Sequence, residues 1–143
     1  MTVALILAQK GRDAHTASTR HSLQDVAGEL VRRGVGALIV LDDSDEVVGV
    51  IGERDVMQAL AAHGAAALSD EVSRHMNRDW KAARENDSID EMARLMTIER
   101  RRHLPVLRDG RLVGVISIGD VVKWRIEQIE AERQALHHYI ATA

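Results

Sequence analysis

The 143-residue sequence predicts an α/β (α+β) fold in which one small strand-helix-strand-strand-helix unit is built twice. Residues 22–30 align with residues 88–96 without a gap, at an offset of 66. The apolar stretch 112–122 has a near copy at 47–56, and each copy runs through Gly-Val-Ile to an aspartate followed by valine. Self-similarity of this kind indicates a structural repeat. Near-continuous apolar strands indicate sheets that are covered on at least one face.

The first elements of each half are predicted from caps and helical spacing. Residues 3–10 are expected to form a short helix ending at Gly11, and residues 14–18 a short edge strand. Ser22 and Ser88 each stand three positions before an acidic residue, which is the capping-box spacing at a helix start. Apolar or nearly apolar residues then recur on one helical face, at Leu23, Val26, Ala27, Leu30 and Val31 and at Ile89, Met92, Ala93, Met96 and Thr97.

The later elements of each half follow the same order. Each helix leads into a strand, a polar turn and a second apolar strand, which runs into another helix. In the first half this helix is expected from Asp55 to about His63, with Gly64 as its end, and in the second half from Asp120 onward.

The two halves are expected to be joined by a short linker. Residues 64–69 form this linker, and Ser69 is predicted to cap a helix that reaches about Met76. We therefore expect three segments: a first repeat at 3–64, a second repeat at 69–130 and a helical extension at 131–143.

The last helix is longer than its counterpart in the first half. An apolar stripe continues along it to the C-terminus, at Val122, Ile126, Ile129, Leu136 and Ile140. Because a stripe that extends beyond one small repeat has to be covered, we expect the N-terminal helix and a second subunit to share this role.

Composition limits the class of protein. Hydrophobic residues make up 45% of the chain, but its only large aromatic residues are Trp80, Trp124 and Tyr139, so the core is expected to consist mainly of small aliphatic side chains. The net charge of −3 argues against a general nucleic-acid binder. There is no cysteine, and the apolar run near the N-terminus is too short for a bilayer, so we expect a cytoplasmic protein without membrane contact.

Four segments carry a resemblance to a known family: 114–120, 49–55, 102–106 and 36–40. From about residue 3 to about residue 130, the chain resembles a tandem pair of cystathionine-β-synthase-type (CBS) domains, also called a Bateman module. More closely, it resembles stand-alone bacterial CBS-pair proteins in which the second motif continues as Ser-Ile-Gly-Asp-Val-Val, as at residues 117–122. The resemblance implies two pseudo-symmetric β-α-β-β-α repeats packed through their sheets, clefts between them for adenine-containing ligands, and a homodimer shaped as a disc.

Ser117 and Asp120 are the principal candidate ligand residues. A carboxylate can accept hydrogen bonds from both ribose hydroxyls, while a hydroxyl and free amides at a helix start suit a phosphate. By spacing alone, the same two residues could simply form a capping box. Recurrence of the aspartate at Asp55, together with the resemblance, favours the ligand interpretation.

The first half departs from this pattern at Gly52, where the family usually has serine or threonine. Arg54 could compensate by binding a phosphate, because guanidinium groups pair well with phosphate oxygens, although a surface ion pair would explain Arg54 equally well. We therefore expect two clefts that are not equivalent, with Gly52, Arg54 and Asp55 in one of them.

The remaining candidates lie in and near the first strand after the basic run of the second half. Arg102 and His103 end a basic run that could complement a helix C-terminus or reach a phosphate, and nucleic-acid binding is a third and weaker interpretation. An apolar slot for adenine is expected around Ala82, Ala83, Leu104 and Pro105. The seven histidines show no spacing typical of a metal site.

These features predict a regulatory module that senses energy or redox state by binding AMP, ADP, ATP or NAD, with no required cofactor and an unidentified target protein. The alternative is a ligand-free interaction scaffold that uses its C-terminal helix. An enzyme is not expected, because the sequence contains no nucleophile paired with a base and no metal cluster.

Overall fold

The computed structural model describes residues 1–142 and contains five α-helices and five β-strands within that range. The helices are α1 (Val3–Lys10), α2 (Leu23–Arg33), α3 (Glu53–His63), α4 (Ile89–Ile98) and α5 (Ile118–Thr142). The strands are β1 (Thr16–Ser18), β2 (Ala37–Leu41), β3 (Val47–Gly52), β4 (His103–Arg108) and β5 (Arg111–Ser117).

The sheets show how closely the two halves correspond. In the first half, β1 pairs in parallel with β2, and β2 pairs antiparallel with β3; in the second half, β4 pairs antiparallel with β5. In the second half, the counterpart of β1 is reduced to a single parallel bridge between Ala83 and Val106. This bridge corresponds in the repeat to the pair Ala17 and Val40. The predicted α/β fold of two β-α-β-β-α repeats is confirmed.

Several helix boundaries differ from their predicted positions. Helices α3 and α5 begin two residues earlier than expected, because Asp55 and Asp120 occupy the third helical position and accept hydrogen bonds from the backbone that precedes the helix. Val31 is 84% exposed, so the buried face of α2 is narrower than predicted.

The prediction of a helix from Ser69 to about Met76 is wrong. Two short 3-10 segments, Gly64–Ser69 and Val72–Arg74, occupy this region instead. The backbone between them pairs with the start of α2, since the Leu23 N–H donates to the Asp70 carbonyl and the Val72 N–H donates to the His21 carbonyl. These groups are therefore not available for α-helical hydrogen bonds.

The N-terminal helix packs against the second half of the chain. Val3, Ile6 and Leu7 are buried in the same core as Ile89, Leu104, Ile116 and Trp124. Continuity of the sequence places residues 3–10 in the first repeat, whereas their side chains belong to the second core. The boundaries of the three predicted segments otherwise stay a prediction.

Segments 2–7 and 71–76 have equivalent roles in the two cores. The bridge between Thr2 and Ser88 matches the bridge between Glu71 and Ser22. Val3 and Val72 are both fully buried. Leu7 packs on Gly114, and Met76 packs on Gly49. Each half is therefore completed by a segment that lies outside the aligned repeat.

Helix α5 is only partly covered by the rest of the chain. Its buried residues are Val121 and Trp124, which pack in the second core with α1. The five residues of the predicted stripe, from Val122 to Ile140, are all at least half exposed. The N-terminal helix therefore covers the side of α5 that carries Val121 and Trp124, at the base of the helix. The stripe lies on the other side and is not covered by the described part of the chain.

Candidate functional site

Both halves of the chain line a central cleft of about 650 Å³. Among the predicted site residues, those that line it are Gly52, Arg54, Asp55, Arg102, His103 and Ser117. His103 crosses from one half to the other, since a Cβ added to Gly36 would lie 3.3 Å from the His103 ring. The two motifs and the basic run therefore meet at one cleft, although they are far apart in sequence.

Asp120 borders the cleft directly after the lining residues 117–119. The Ser117 N–H donates to Asp120 Oδ2 at 2.8 Å, and the Asp120 N–H donates to Ser117 Oγ at 3.2 Å, so the capping box is formed. These hydrogen bonds use only one of the two carboxylate oxygens of Asp120. Within residues 1–142, no hydrogen bond reaches its Oδ1 atom.

A lysine from the N-terminal helix also binds this carboxylate. Lys10 Nζ lies 2.7 Å from Asp120 Oδ2 and 2.8 Å from the carbonyl oxygen of Val115. The side chains of Lys10 and Asp120 are 34% and 21% exposed. The negative charge of Asp120 is therefore compensated by Lys10, which belongs to a segment that sequence analysis did not connect with the site.

The corresponding carboxylate of the first half has a different environment. The Gly52 N–H donates to Asp55 Oδ2 at 2.8 Å, but glycine has no hydroxyl with which to return a bond. Burial raises the pKa of Asp55 above its ordinary value, and this effect outweighs the opposing effects of the Gly52 N–H and of Arg54. The two carboxylates thus share a position in the repeat and differ in how their charge is compensated.

Three arginines bring cationic groups to the cleft. Arg54, Arg100 and Arg102 are exposed, and within residues 1–142 none of them forms an ion pair. Arg101, by contrast, is only 13% exposed and is held by Asp79 and Glu99. The basic run after α4 therefore has a structural member, Arg101, and two members that are free to bind an anion.

His103 lies among these charged groups at the start of β4, opposite Ser117 in the sheet. Burial, followed by the nearby Lys10 ammonium, lowers the pKa of His103 below its ordinary value, although Asp120 and Glu53 act in the opposite direction. The ring is therefore held in its neutral form more strongly than a histidine in water.

The adenine slot predicted around Ala82, Ala83, Leu104 and Pro105 does not form on this cleft. Leu104 and Ala83 are fully buried in the second core. The Ala83 N–H donates to the Pro105 carbonyl, and its own carbonyl accepts from Leu107, so these backbone groups are already paired. Ala82 and Ala83 instead line a separate cavity of about 860 Å³.

That separate cavity is bordered by an ion-pair cluster. Glu85, which lines it, pairs with Arg12 at 2.9 Å and with Arg108. The two guanidinium groups, Arg12 first, hold the pKa of Glu85 below its ordinary value. Both of these guanidinium groups already have an ion-pair partner, which distinguishes them from Arg54, Arg100 and Arg102 at the central cleft.

Sequence analysis missed Lys10, Trp80 and Arg100 as residues of the site. Trp80 is half-buried and lines the central cleft. Because the chain has only three large aromatic residues, Trp80 was a candidate for a special role, but nothing in the repeat indicated where its ring would lie. Arg100 belongs to the basic run that we noted without assigning it to the site.

Two kinds of feature are absent from the described part of the chain. Residues 1–142 bring together no group of three or more side chains that could hold a metal ion. No helix in the same range combines the length and apolar character needed to cross a bilayer.

Comparison with known proteins agrees with the geometry of the fold. A family model described as "CBS domain" matches residues 11–62 and 70–127, which together make up more than half of the chain. The crystal structure of a CBS-domain-containing protein from Agrobacterium tumefaciens is 41% identical, covers 87% of this chain and 92% of its own, and superposes with a TM-score of 0.84.

Two further structures contain adenosine-type ligands. A CBS domain protein from Pyrobaculum aerophilum in complex with AMP is 25% identical, with a TM-score of 0.75 and coverage of 84% of this chain and 89% of its own. The CBS domain pair of protein MJ0100, in complex with 5-methylthioadenosine and S-adenosyl-L-methionine, is 25% identical, with a TM-score of 0.77 and coverage of 87% and 98%. The present chain, with its two matched segments and its two half-cores, belongs to the CBS domain family and contains a CBS domain pair.

Proposed function

We propose that this protein is a regulatory module that binds an adenine nucleotide in the central cleft between its two halves. The observation that carries this proposal is that three guanidinium groups, Arg54, Arg100 and Arg102, which form no ion pair within residues 1–142, meet the carboxylates of Asp55 and Asp120 at one cleft. Such a site combines acceptors for ribose hydroxyls with donors for phosphate oxygens.

The chemistry of each group supports a division of roles. Asp55 and Asp120 each keep an Oδ1 atom that no hydrogen bond reaches within residues 1–142, so each can accept from a ribose hydroxyl. Arginine forks suit a phosphate. Trp80 offers a flat apolar face to a purine base, and it replaces the alanine and proline slot that sequence analysis placed elsewhere.

The ligands of related structures support an adenosine-containing ligand. AMP, 5-methylthioadenosine and S-adenosyl-L-methionine, which are bound by the two related proteins, share adenosine and differ in what the 5′ position carries. Because free arginines face the cleft, we favour a phosphorylated ligand, AMP, ADP, ATP or NAD, and hence energy or redox sensing. Any target protein would respond reciprocally, since coupling between two binding events is symmetric. The homodimer and the cytoplasmic location also stay predictions.

Calorimetry and thermal unfolding test this proposal directly. We expect AMP to bind and to raise the melting temperature, and Arg102→Gln to weaken AMP binding while leaving adenosine binding unchanged. Arg94→Gln is the matched control, because Arg94 is an exposed arginine of α4 outside the cleft. Asp55→Asn and Asp120→Asn then identify which carboxylate binds the ribose.

The proposal would be overturned if AMP, ATP, NAD and adenosine all left the melting temperature unchanged at about millimolar concentration. That outcome would favour the alternative, a ligand-free interaction scaffold. The observation in favour of this alternative is the long exposed apolar stripe on α5.

A further inference from the structure

The turn that follows α4 has the same backbone as the turn that follows α2, but a different sequence. In the first half, Gly34 has a left-handed φ of 64°, and the Val35 N–H donates to a carbonyl in the last turn of α2. In the second half, Arg100 has a φ of 54°, and the Arg101 N–H makes the equivalent bond to α4. Each helix therefore ends in a Schellman motif, and the second half places two arginines where the first half has glycine and valine.

Both replacements are unfavourable for the turn itself. Glycine adopts a left-handed φ easily, whereas the Cβ of another L-residue crowds the backbone there. The next residue of the motif usually makes an apolar contact, and the half-buried Val35 does pack against the first core. A backbone conformation of this kind persists where the surrounding structure holds it, and such conformations concentrate at ligand sites. The conformation of Arg100 therefore requires a neighbour that holds it.

Arg101 connects this turn with another wall of the central cleft. Its side chain is only 13% exposed. Its Nε donates to Glu99 Oε2 at 2.6 Å, within the turn. Its two terminal nitrogens donate to the Asp79 carbonyl oxygen and, at 3.2 Å, to Asp79 Oδ2. The guanidinium group therefore binds both the end of α4 and the segment that leads to Trp80.

The segment around Asp79 is fixed on the first half of the chain. Asn77 exchanges two backbone hydrogen bonds with Val50 of β3, at 2.8 and 3.1 Å. The side-chain oxygen of Asn77 accepts from the Asp79 N–H at 2.9 Å. Trp80 follows directly and lines the cleft. Arg101 therefore joins the basic turn of the second half to a segment that the first half holds.

We propose that Arg101 is a positioning residue of the central cleft, which fixes the turn that carries Arg100 and Arg102 relative to the segment that carries Trp80. This inference rests on the proposed function, in which Trp80 contacts the base and the arginines contact the phosphate. A ligand that makes both contacts gains affinity when the two groups are held at the right separation before it binds. A ligand that lacks the phosphate gains less.

Arg101 does not act as a phosphate ligand itself. All three of its nitrogens already donate to Glu99 or Asp79, whereas Arg100 and Arg102 are exposed. Its role also requires the planar fork of arginine, because a lysine carries its charge at a single point and does not reproduce the fork. Substitution by lysine therefore separates positioning from charge.

Calorimetry tests the proposal through the ratio of AMP affinity to adenosine affinity, which reports the contribution of the phosphate. Arg101→Val copies the residue that the first half has in this turn, so the turn should still form. It should lower the ratio by about three- to thirtyfold, and Arg101→Lys should lower it by a similar factor although the charge is kept. Arg94→Val is the matched control, since Arg94 is an exposed arginine of α4 outside the cleft. A wild-type ratio in Arg101→Lys would assign the effect to charge and overturn the proposal.

Quenching of tryptophan fluorescence by acrylamide tests the same contact without a ligand. Trp80 is half-buried and Trp124, the only other tryptophan, is 7% exposed, so quenching reports mainly on Trp80. Both Arg101 variants should raise the quenching constant, and Arg94→Val should not. If the parent protein bound neither AMP nor adenosine, the proposed function would fail, while quenching would still decide whether Arg101 holds Trp80. Unchanged quenching in both Arg101 variants would overturn the positioning role even if AMP bound.

Discussion

Replacement of Lys10 by methionine removes the cation that holds Asp120 and tests whether that contact competes with a ligand. Asp120 Oδ2 accepts from both the Ser117 N–H and the Lys10 ammonium, so only Oδ1 is free of hydrogen bonds within residues 1–142. A ribose that uses both carboxylate oxygens would have to displace Lys10. The strength of the ion pair therefore sets how much binding free energy this displacement costs.

The exposure of the two side chains limits that strength. With 34% of Lys10 and 21% of Asp120 exposed, the pair is expected to contribute about 1 kcal/mol or less, as partly solvated ion pairs do. Lys10→Met should then lower the melting temperature by about 2–4 °C or less. The same free energy corresponds to an increase in adenosine affinity of at most about fivefold.

Thermal unfolding and calorimetry with adenosine measure the two effects on the same samples. Adenosine is the appropriate ligand, because a phosphate could gain a new contact with the released ammonium and obscure the competition. Arg94→Met serves as the control, since Arg94 is an exposed cation without an ion pair in the described chain. If Lys10→Met lowered stability while adenosine bound equally or more weakly, the idea that Lys10 occupies part of the ribose site would be refuted.

Two further predictions concern His103 and the glycines of the core. Because burial lowers the pKa of His103 below 6.5, protonation of the ring opposes folding, and the free energy of unfolding should fall as the pH drops below 6.5. A bound phosphate favours the protonated ring, so this contribution to AMP affinity should grow between about pH 7.5 and about pH 6.5. The His103→Gln variant keeps only the opposing effect of the AMP phosphate, whose second pKa is about 6, so the ratio of wild-type to variant affinity for AMP should rise over this interval and the ratio for adenosine should not. Identical profiles of the two proteins in calorimetry would contradict the assignment. Gly49→Ala should lower the free energy of unfolding by about 1–3 kcal/mol, because its Cβ would lie 2.6 Å from Met76 Sδ and 3.1 Å from a backbone oxygen. Gly28→Ala in α2, whose Cβ would meet nothing within 4 Å, should instead raise it by about 0.5–1 kcal/mol. Denaturant unfolding of both variants measures the two changes.

Local signals predicted much of the fold because they act within a few residues. Ser22 and Ser88 begin helices as their spacing indicated, and their hydroxyls accept from the N–H groups of Asp25 and Glu91. Gly11 ends α1, as expected. The structure carries the repeat further, because Ala17 and Ala83 bridge to equivalent residues of the two halves, Val40 and Val106.

Contacts that depend on chain crossing were not predictable from the repeat. Segment 2–7 corresponds to segment 71–76 at an offset of 69 and not 66, and the two segments share a backbone bridge and their apolar anchors but little else in sequence. Lys10 therefore gave no sign that it would reach Asp120. Leu104 is predicted to line an apolar slot for adenine, because the strand that follows the basic run is expected at the cleft, but it is fully buried in the second core.

Asp55 and His103, which both line the cleft, imply opposite proton effects when a nucleotide binds. A ribose hydroxyl that donates to Asp55 stabilises its ionised form, so binding there should lower the raised pKa of Asp55 and release protons at mildly acidic pH. A phosphate beside His103 instead raises a lowered pKa and takes protons up. The sign of proton exchange, measured by calorimetry in buffers of different ionisation enthalpy, therefore shows which of these two contacts dominates when a nucleotide binds.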